Sequence, residues 1–138
     1  MIIYSLIDKN AKDFIINENK FKLEDNTFLD EWLHQETDKV KLYLLKENEV
    51  LKCFAILTNI EKDPLKIHNN PHYLNYVYTF DKYRRNGYAF NILNEMKKSE
   101  NITVFCTDDI IKNLCIKAQF VYHNHDPLYK SFPIYRYP

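Results

Sequence analysis

Apolar positions along the chain fall into short blocks whose period switches between two residues and three to four. Residues 2–7 predict a first strand, and residues 11–16, with Ala11, Phe14 and Ile15 on one side, predict a short helix. Asp25, Asn26 and Thr27 offer N-caps for a second helix, in which Phe28, Leu29, Trp32 and Leu33 recur at helical spacing. Residues 40–45 and 50–57 are apolar runs separated by Lys46-Glu47-Asn48-Glu49, which predicts a β-hairpin with a four-residue loop. Pro64 and Pro71 then mark a surface connection, which would carry His72 as an exposed loop residue. Over residues 73–80 the chain alternates, predicting a further antiparallel strand with Leu74, Tyr76, Tyr78 and Phe80 on one face and Asn75, Val77 and Thr79 on the other.

A basic turn follows. Beyond it Ala89, Ile92, Leu93 and Met96 fall on one helical face, ending near Lys97 and Lys98, whose charge suits a helix C-terminus. Residues 102–106 predict a short strand and Asp108 an N-cap. Ile110, Ile111, Leu114, Cys115 and Ala118 mark one face of another helix. Residues 120–122 and 129–137 would close the sheet as two strands around an Asp126-Pro127 turn. No repeat or linker interrupts this series, and 138 residues is the size of one domain, so residues 1–138 are expected to form a single unit.

Composition narrows the class. Apolar residues at 46% and charged residues at 28% are a globular mixture, and no apolar run approaches the ~18–20 residues that span a bilayer. Met1-Ile2-Ile3-Tyr4 leads straight into charged sequence, so a cytoplasmic location with no membrane partner is expected. Nineteen basic residues balance nineteen acidic ones, which argues against a nucleic-acid partner held by a global field. Cys53, Cys106 and Cys115 are odd in number and sit in apolar stretches without zinc or disulfide spacing, as reduced core residues do.

Gly87 is the one glycine of the chain, placed between the alternating strand and the amphipathic helix. A helix start exposes unpaired backbone N–H groups and the positive end of the dipole, and a missing Cβ lets a phosphate approach them. Lys82, Arg84 and Arg85 add cations for a multiply anionic ligand. The alternative is an ordinary helix start beside a solvated basic turn. The loop is neither a P-loop nor a dinucleotide fingerprint, since the other residues of those motifs are missing.

Arg84-Arg85-Asn86-Gly87-Tyr88-Ala89 matches the [RQ]-x-x-G-x-[GA] acetyl-CoA signature and resembles that of the GNAT acetyltransferases, with Tyr83 as a preceding aromatic. Residues 108–120 resemble that family's N-x-x-A-x-x-F-Y-x-K-x-G-F segment. Asp108 stands at Asn, Ile111 at Ala and Leu114 at Phe, Lys117 and Phe120 match, Cys115 replaces Tyr and Gln119 replaces Gly. The resemblance implies an α+β fold in α/β/α layers: a central mixed, mostly antiparallel sheet of six to seven strands flanked by about four helices.

It also implies N-acetyl transfer from acetyl-CoA by direct attack of an amine, without a covalent enzyme intermediate and without a metal. Backbone amides of Arg85, Asn86, Gly87, Tyr88 and Ala89 would hold the pyrophosphate, with Arg84 or Arg85 beside it and Asp108 opening the facing helix. Val77, Tyr78 and Thr79 would offer main-chain bonds to the pantetheine, one of which could polarise the thioester carbonyl. An alkylamine with a pKa of about 10 must lose a proton, and a departing thiolate with a pKa of about 8.5 gains from receiving one. Many relatives use a Tyr at the position of Cys115 for the second task; Cys115 is the candidate at that place, a phenol from Tyr122 or Tyr129 would be a substitute, and solvent is the remaining alternative. Candidates for the base are His72, Tyr78, Asp108 or a water chain.

Other readings compete. His123 and His125 beside Asp126 could start a metal site, but no further ligand cluster accompanies them and no metal is expected. Basic and aromatic residues at 82–85 could stack on single-stranded nucleic acid. Loss of Tyr at Cys115 would suit a CoA-binding protein without catalysis. Residues 26–33 and Asp126-Pro127-Leu128 resemble GNAT toxins that acetylate aminoacyl-tRNA, the one nucleic-acid partner this reading keeps. The acceptor is otherwise an amine of open class, and the protein a monomer or homodimer.

Overall fold

Alternation in the two strands of the hairpin builds the centre of the molecule. The computed structural model describes residues 1–17, 40–59, 71–106, 108–125 and 133–136. Its strands are β1 (Ile2–Ile7), β2 (Val40–Glu47), β3 (Val50–Asn59), β4 (Pro71–Thr79), β5 (Asn101–Phe105), β6 (Val121–His125) and β7 (Pro133–Arg136). Helices α1 (Asp8–Asn17), α2 (Tyr88–Met96) and α3 (Asp109–Lys117) accompany them. The helix expected around Phe28, Leu29, Trp32 and Leu33 and the Asp126-Pro127 turn lie outside the described residues.

The strands form one seven-stranded sheet in the order β1-β2-β3-β4-β5-β7-β6. All neighbours are antiparallel except β4 and β5. Period-two alternation sends Val40, Leu42 and Leu44 of β2 and Phe54 and Ile56 of β3 to one face, where Ala11 and Ile15 of α1 cover them. Tyr43, Leu45, Cys53, Ala55 and Leu57 face the other side, under Ile92, Leu93 and Met96 of α2 and Cys115 and Ala118 of α3. Helices on both faces of a mixed sheet make the expected α/β/α sandwich. The three cysteines are free and buried, as read from the sequence.

The hairpin loop is shorter than predicted. Lys46 and Glu47 continue β2, and Asn48 and Glu49 alone turn the chain, with φ of 53° and 63°. Positive φ at both turn positions is the primed geometry whose twist suits an antiparallel pair. Just beyond, Leu45 pairs with Cys53 and Lys46 with Leu51, leaving Lys52 as a bulge.

A second bulge overturns one predicted face. Ile56 pairs with Tyr76 and Leu57 with Leu74, so Asn75 is the extra residue. Leu74 therefore joins Val77 on the α2 side, while Tyr76, Tyr78 and Phe80 pack with Phe54 on the α1 side. His72 is also displaced from its expected loop. It lies buried in β4 with its Nδ1 3.6 Å from an oxygen of Glu100.

Glu100 ties down the end of α2. Its side chain is 5% exposed, pairs with the Lys41 ammonium and accepts a 2.9 Å bond from the Tyr43 hydroxyl. Burial, reinforced by this carboxylate, pushes the Tyr43 phenol up to about 12. At the end of α3, Gln119 has a φ of 66°. Its N–H donates to Ile116 and that of Phe120 to Cys115, a Schellman closure. Lys97 reaches across from α2 to cap Ala118 O at 2.9 Å, so it serves the neighbouring helix's C-terminus.

The parallel ladder between β4 and β5 is brief. It joins Pro71, His72 and Tyr73 to Asn101, Ile102 and Thr103 and goes no further. β4 continues along β3 to Thr79, and β5 continues along β7 to Phe105. The two strands thus part into a fork.

Candidate functional site

Between β4 and α2 the chain makes a short 3-10 turn at Asp81–Tyr83 and then the basic loop. Gly87 is the N-cap of α2, with φ 78° and ψ 15° and no side-chain cap, and its carbonyl accepts from Asn91 N at 2.9 Å. Left-handed backbone is cheap for glycine and costs other L-residues ~1–2 kcal/mol. A Cβ built on Gly87 would meet no atom of the described residues within 4 Å, so glycine answers there to backbone conformation and to the open space above it, not to crowding. The first N–H groups of α2 have no acceptor within the helix and face that space.

The space is a cavity of about 450 Å³ at the mouth of the fork. Val77, Tyr78 and Thr79 form its strand wall, residues of the basic loop and the start of α2 its floor, and α3 its far wall. Every residue predicted to hold the cofactor lines it except Asn86. That side chain turns back, its Nδ2 donating to the carbonyls of Tyr83 at 3.1 Å and Arg84 at 3.4 Å, so it shapes the loop from behind.

The two loop arginines differ. Arg84 is committed: Nε donates to Thr79 O at 3.1 Å and Nη2 lies 2.9 Å from Asp81 Oδ1. Its guanidinium also sits 5.2 Å from the centre of the Tyr78 ring. Arg85 has a φ of 68°, and no hydrogen bond or ion pair engages its side chain among the described residues. Beneath the loop, the bulged Lys52 donates to Tyr88 Oη at 3.3 Å and lies 4.9 Å from the centre of the Tyr83 ring. The bond to Tyr88 raises the Lys52 ammonium above its ordinary value.

Asp108 caps α3 as predicted, accepting from Ile111 N at 2.9 Å. The helix then presents Ile110, Ile111, Leu114 and Lys117 to the cavity, with the Lys117 ammonium 4.8 Å from the Phe90 ring centre. Ile110 is 83% exposed at the rim, whereas Cys115 and Ala118 of the same predicted face are buried. Tyr83, Phe90 and this wall were missed as site residues, because an amphipathic stripe at helical spacing reads as core. The available signal was that Ile110, Leu114 and Lys117 share a face of the helix.

The expected catalytic residues are not brought together. Tyr78 lines the cavity, but its ring belongs to the aromatic ladder of the opposite face, stacked 6.0 Å from Tyr76, so the cavity meets chiefly its main chain. Cys115 is fully buried in the core beneath α3 and is absent from the lining. A bond to the Cys106 thiol, then burial, holds the Cys115 thiol protonated, far above its ordinary range. Tyr122 lies on β6, half exposed and packed edge-on against Tyr135 at 5.8 Å, away from the lining. Among the candidate bases, His72 sits at the closed end of the fork beside Glu100. Tyr129, Asp126 and the side chains of His123 and His125 lie outside the described residues. No described helix is long and apolar enough to cross a membrane.

The same architecture occurs in solved acetyltransferases. Tetrahymena GCN5 aligns with a TM-score of 0.64 and 10% identity, over 99% of this chain and 94% of that chain. A GNAT-family acetyltransferase from Bacillus cereus aligns with a TM-score of 0.60 and 12% identity, over 99% and 97%. Arabidopsis thaliana NAA60 in complex with acetyl-CoA aligns with a TM-score of 0.54 and 13% identity, over 98% and 97%. No family model matches the chain, and no curated protein matches it. The likeness is one of fold: the chain has the GNAT acetyltransferase fold.

Proposed function

We propose that the chain transfers an acetyl group from acetyl-CoA to an amine, with the cavity in the β4–β5 fork as the acetyl-CoA site. One observation carries this reading: a parted strand, the uncapped N-terminus of α2 and an uncommitted guanidinium converge on one cavity. The residues fit the ligand's chemistry. Gly87, the first-turn amides and Arg85 suit a pyrophosphate. Main chain of Val77 and Tyr78, with apolar Ile111 and Leu114 opposite, suits a long arm of amides and methylenes. Acetyl-CoA supplies the acyl group already activated as a thioester.

This chain's part is to bind, orient and exclude water. Donors fixed along β4 can favour charge developing on a carbonyl, because they need not reorganise as it develops. Tyr78 is the member of the expected catalytic set that borders the cavity. The burial of Cys115 gives one specific reason to keep a second reading, a CoA-binding protein without catalysis. The acceptor is an amine, met in the cytoplasm by a single-domain protein acting as a monomer or homodimer.

Calorimetric titration of the purified protein with acetyl-CoA, using dephospho-CoA and ATP as controls, tests the site. Micromolar acetyl-CoA affinity followed by thiol release on adding amines supports the transferase. Binding without thiol release under any amine favours the second reading, and no binding refutes both.

A further inference from the structure

We propose that Arg84 is a positioning residue: its guanidinium fixes the Thr79 carbonyl at the end of β4, leaving Arg85 as the cation that meets an anionic ligand. The ligand's identity rests on the acetyl-CoA reading above; the positioning does not.

The two arginines are chemically identical and adjacent, but the backbone separates them. Arg84 is extended, with ψ 156°, and its N–H closes the 3-10 turn onto Asp81 O at 3.4 Å. From there one planar side chain acts in three directions, on the Thr79 carbonyl at 3.1 Å, the Asp81 carboxylate at 2.9 Å and the Tyr78 ring face at 5.2 Å. A guanidinium can do this because its donors diverge in a fixed plane while its faces stack on rings; an ammonium cannot. The Asp81 pair is exposed, at 55% and 80%, and contributes little alone. The carbonyl bond and the ring contact therefore carry the attachment.

The consequence reaches Gly87. Asn86 Nδ2 holds the Tyr83 and Arg84 carbonyls, so an unbroken series of bonds runs from the last residue of β4 to the residue before the glycine. That series sets where the α2 amides stand relative to the strand wall. It also occupies the Thr79 carbonyl, so Val77 and Tyr78 are left to supply the strand's bonds to a ligand. Arg85, turned by its φ of 68°, keeps its guanidinium uncommitted beside the cavity.

Charge substitution separates positioning from direct electrostatic attraction, because the two predict opposite signs. Acetyl-CoA titrations at two salt concentrations should show Arg84→Ala weakening affinity about tenfold with an unchanged salt dependence, and Arg84→Lys failing to restore it. Asp81→Asn should weaken binding about two- to threefold although it removes a negative charge beside the loop. Arg85→Ala should lose affinity and salt dependence together, with Arg85→Lys recovering most of both. Wild-type affinity in Arg84→Lys, or tighter binding in Asp81→Asn, overturns the proposal. Hydrogen exchange of the ligand-free protein gives an independent readout. Amides over residues 79–89 should exchange faster in Arg84→Ala and Arg84→Lys, and at the wild-type rate in Arg85→Ala. Equal exchange in all variants overturns the proposal even if acetyl-CoA proves not to be the ligand. A wild-type protein that ignores acetyl-CoA removes the functional reading alone and leaves the exchange rates to decide Arg84.

Discussion

Replacing Gly87 separates what the backbone requires from what a ligand requires. With φ at 78° and no atom of the described residues within 4 Å of a built Cβ, alanine introduces conformational strain and no clash with them. The expected loss of stability is ~1–2 kcal/mol. Asparagine tolerates the left-handed region better, so Gly87→Asn should lose only about half as much. Both side chains stand in the open space through which a phosphate would approach the α2 amides. Acetyl-CoA affinity should therefore fall at least about tenfold in Gly87→Ala, or ~1.4 kcal/mol, and further in the bulkier Gly87→Asn. Gly87→Trp should abolish binding and leave the fold largely intact. Urea unfolding and calorimetric titration of the same preparations measure the two orders, which run in opposite directions for Ala and Asn. If affinity instead follows stability, with Asn binding better than Ala, the glycine serves only its own dihedral angle and the phosphate reading of the loop is wrong.

Other variants probe the frame around the site. Glu100→Ala removes a nearly buried carboxylate from Lys41 and Tyr43. Because Lys41 is 35% exposed and can turn to water, the loss expected in urea unfolding is ~2–3 kcal/mol, below that of a fully enclosed pair. Tyr43, raised from 10.0 to about 12, stabilises the fold fully below pH 10, and that contribution disappears as the pH rises through 12. Tyr43→Phe should flatten the alkaline limb of the stability profile, and an unchanged limb would show that another group titrates there. Gln119→Gly relieves a left-handed glutamine in the Schellman closure and should raise stability by ~1 kcal/mol without altering acetyl-CoA affinity. Cys115→Ala should preserve acetyl-CoA affinity, since its thiol faces the core; a large loss of turnover at normal affinity would restore a catalytic role to it.

Strands and helices were legible because alternation and helical stripes report burial directly, and the lone glycine marked the loop. The hairpin turn was misread since Lys46 and Glu47 are polar, while a strand end needs only backbone partners to continue. The bulges at Lys52 and Asn75 depend on how two strands align, which neither strand's own pattern records. One consequence was the wrong face for Leu74. The α3 wall was hidden by an ambiguity: Ile110 and Leu114 satisfy the same stripe whether the helix covers a core or a cavity. The difference between Arg84 and Arg85 was beyond the sequence altogether, since it arises from the Thr79 carbonyl and one positive φ.

The brief pairing of β4 with β5 makes the sheet a hinged pair of leaves. One leaf, β1 to β4, and the other, β5 with β7 and β6, share three residues of ladder and the helices laid over them. A molecule lodged in the cavity would touch β4 of the first leaf and α3, the helix that packs on β7 of the second, and so tie the two together indirectly. Occupancy and cohesion then become one equilibrium: ligand at a hundred times its dissociation constant adds ~2.7 kcal/mol to the folded state. Most of that gain should register in the elements that line the cavity, the end of β4, the first turn of α2 and α3, so that hydrogen exchange there slows most when the site is filled.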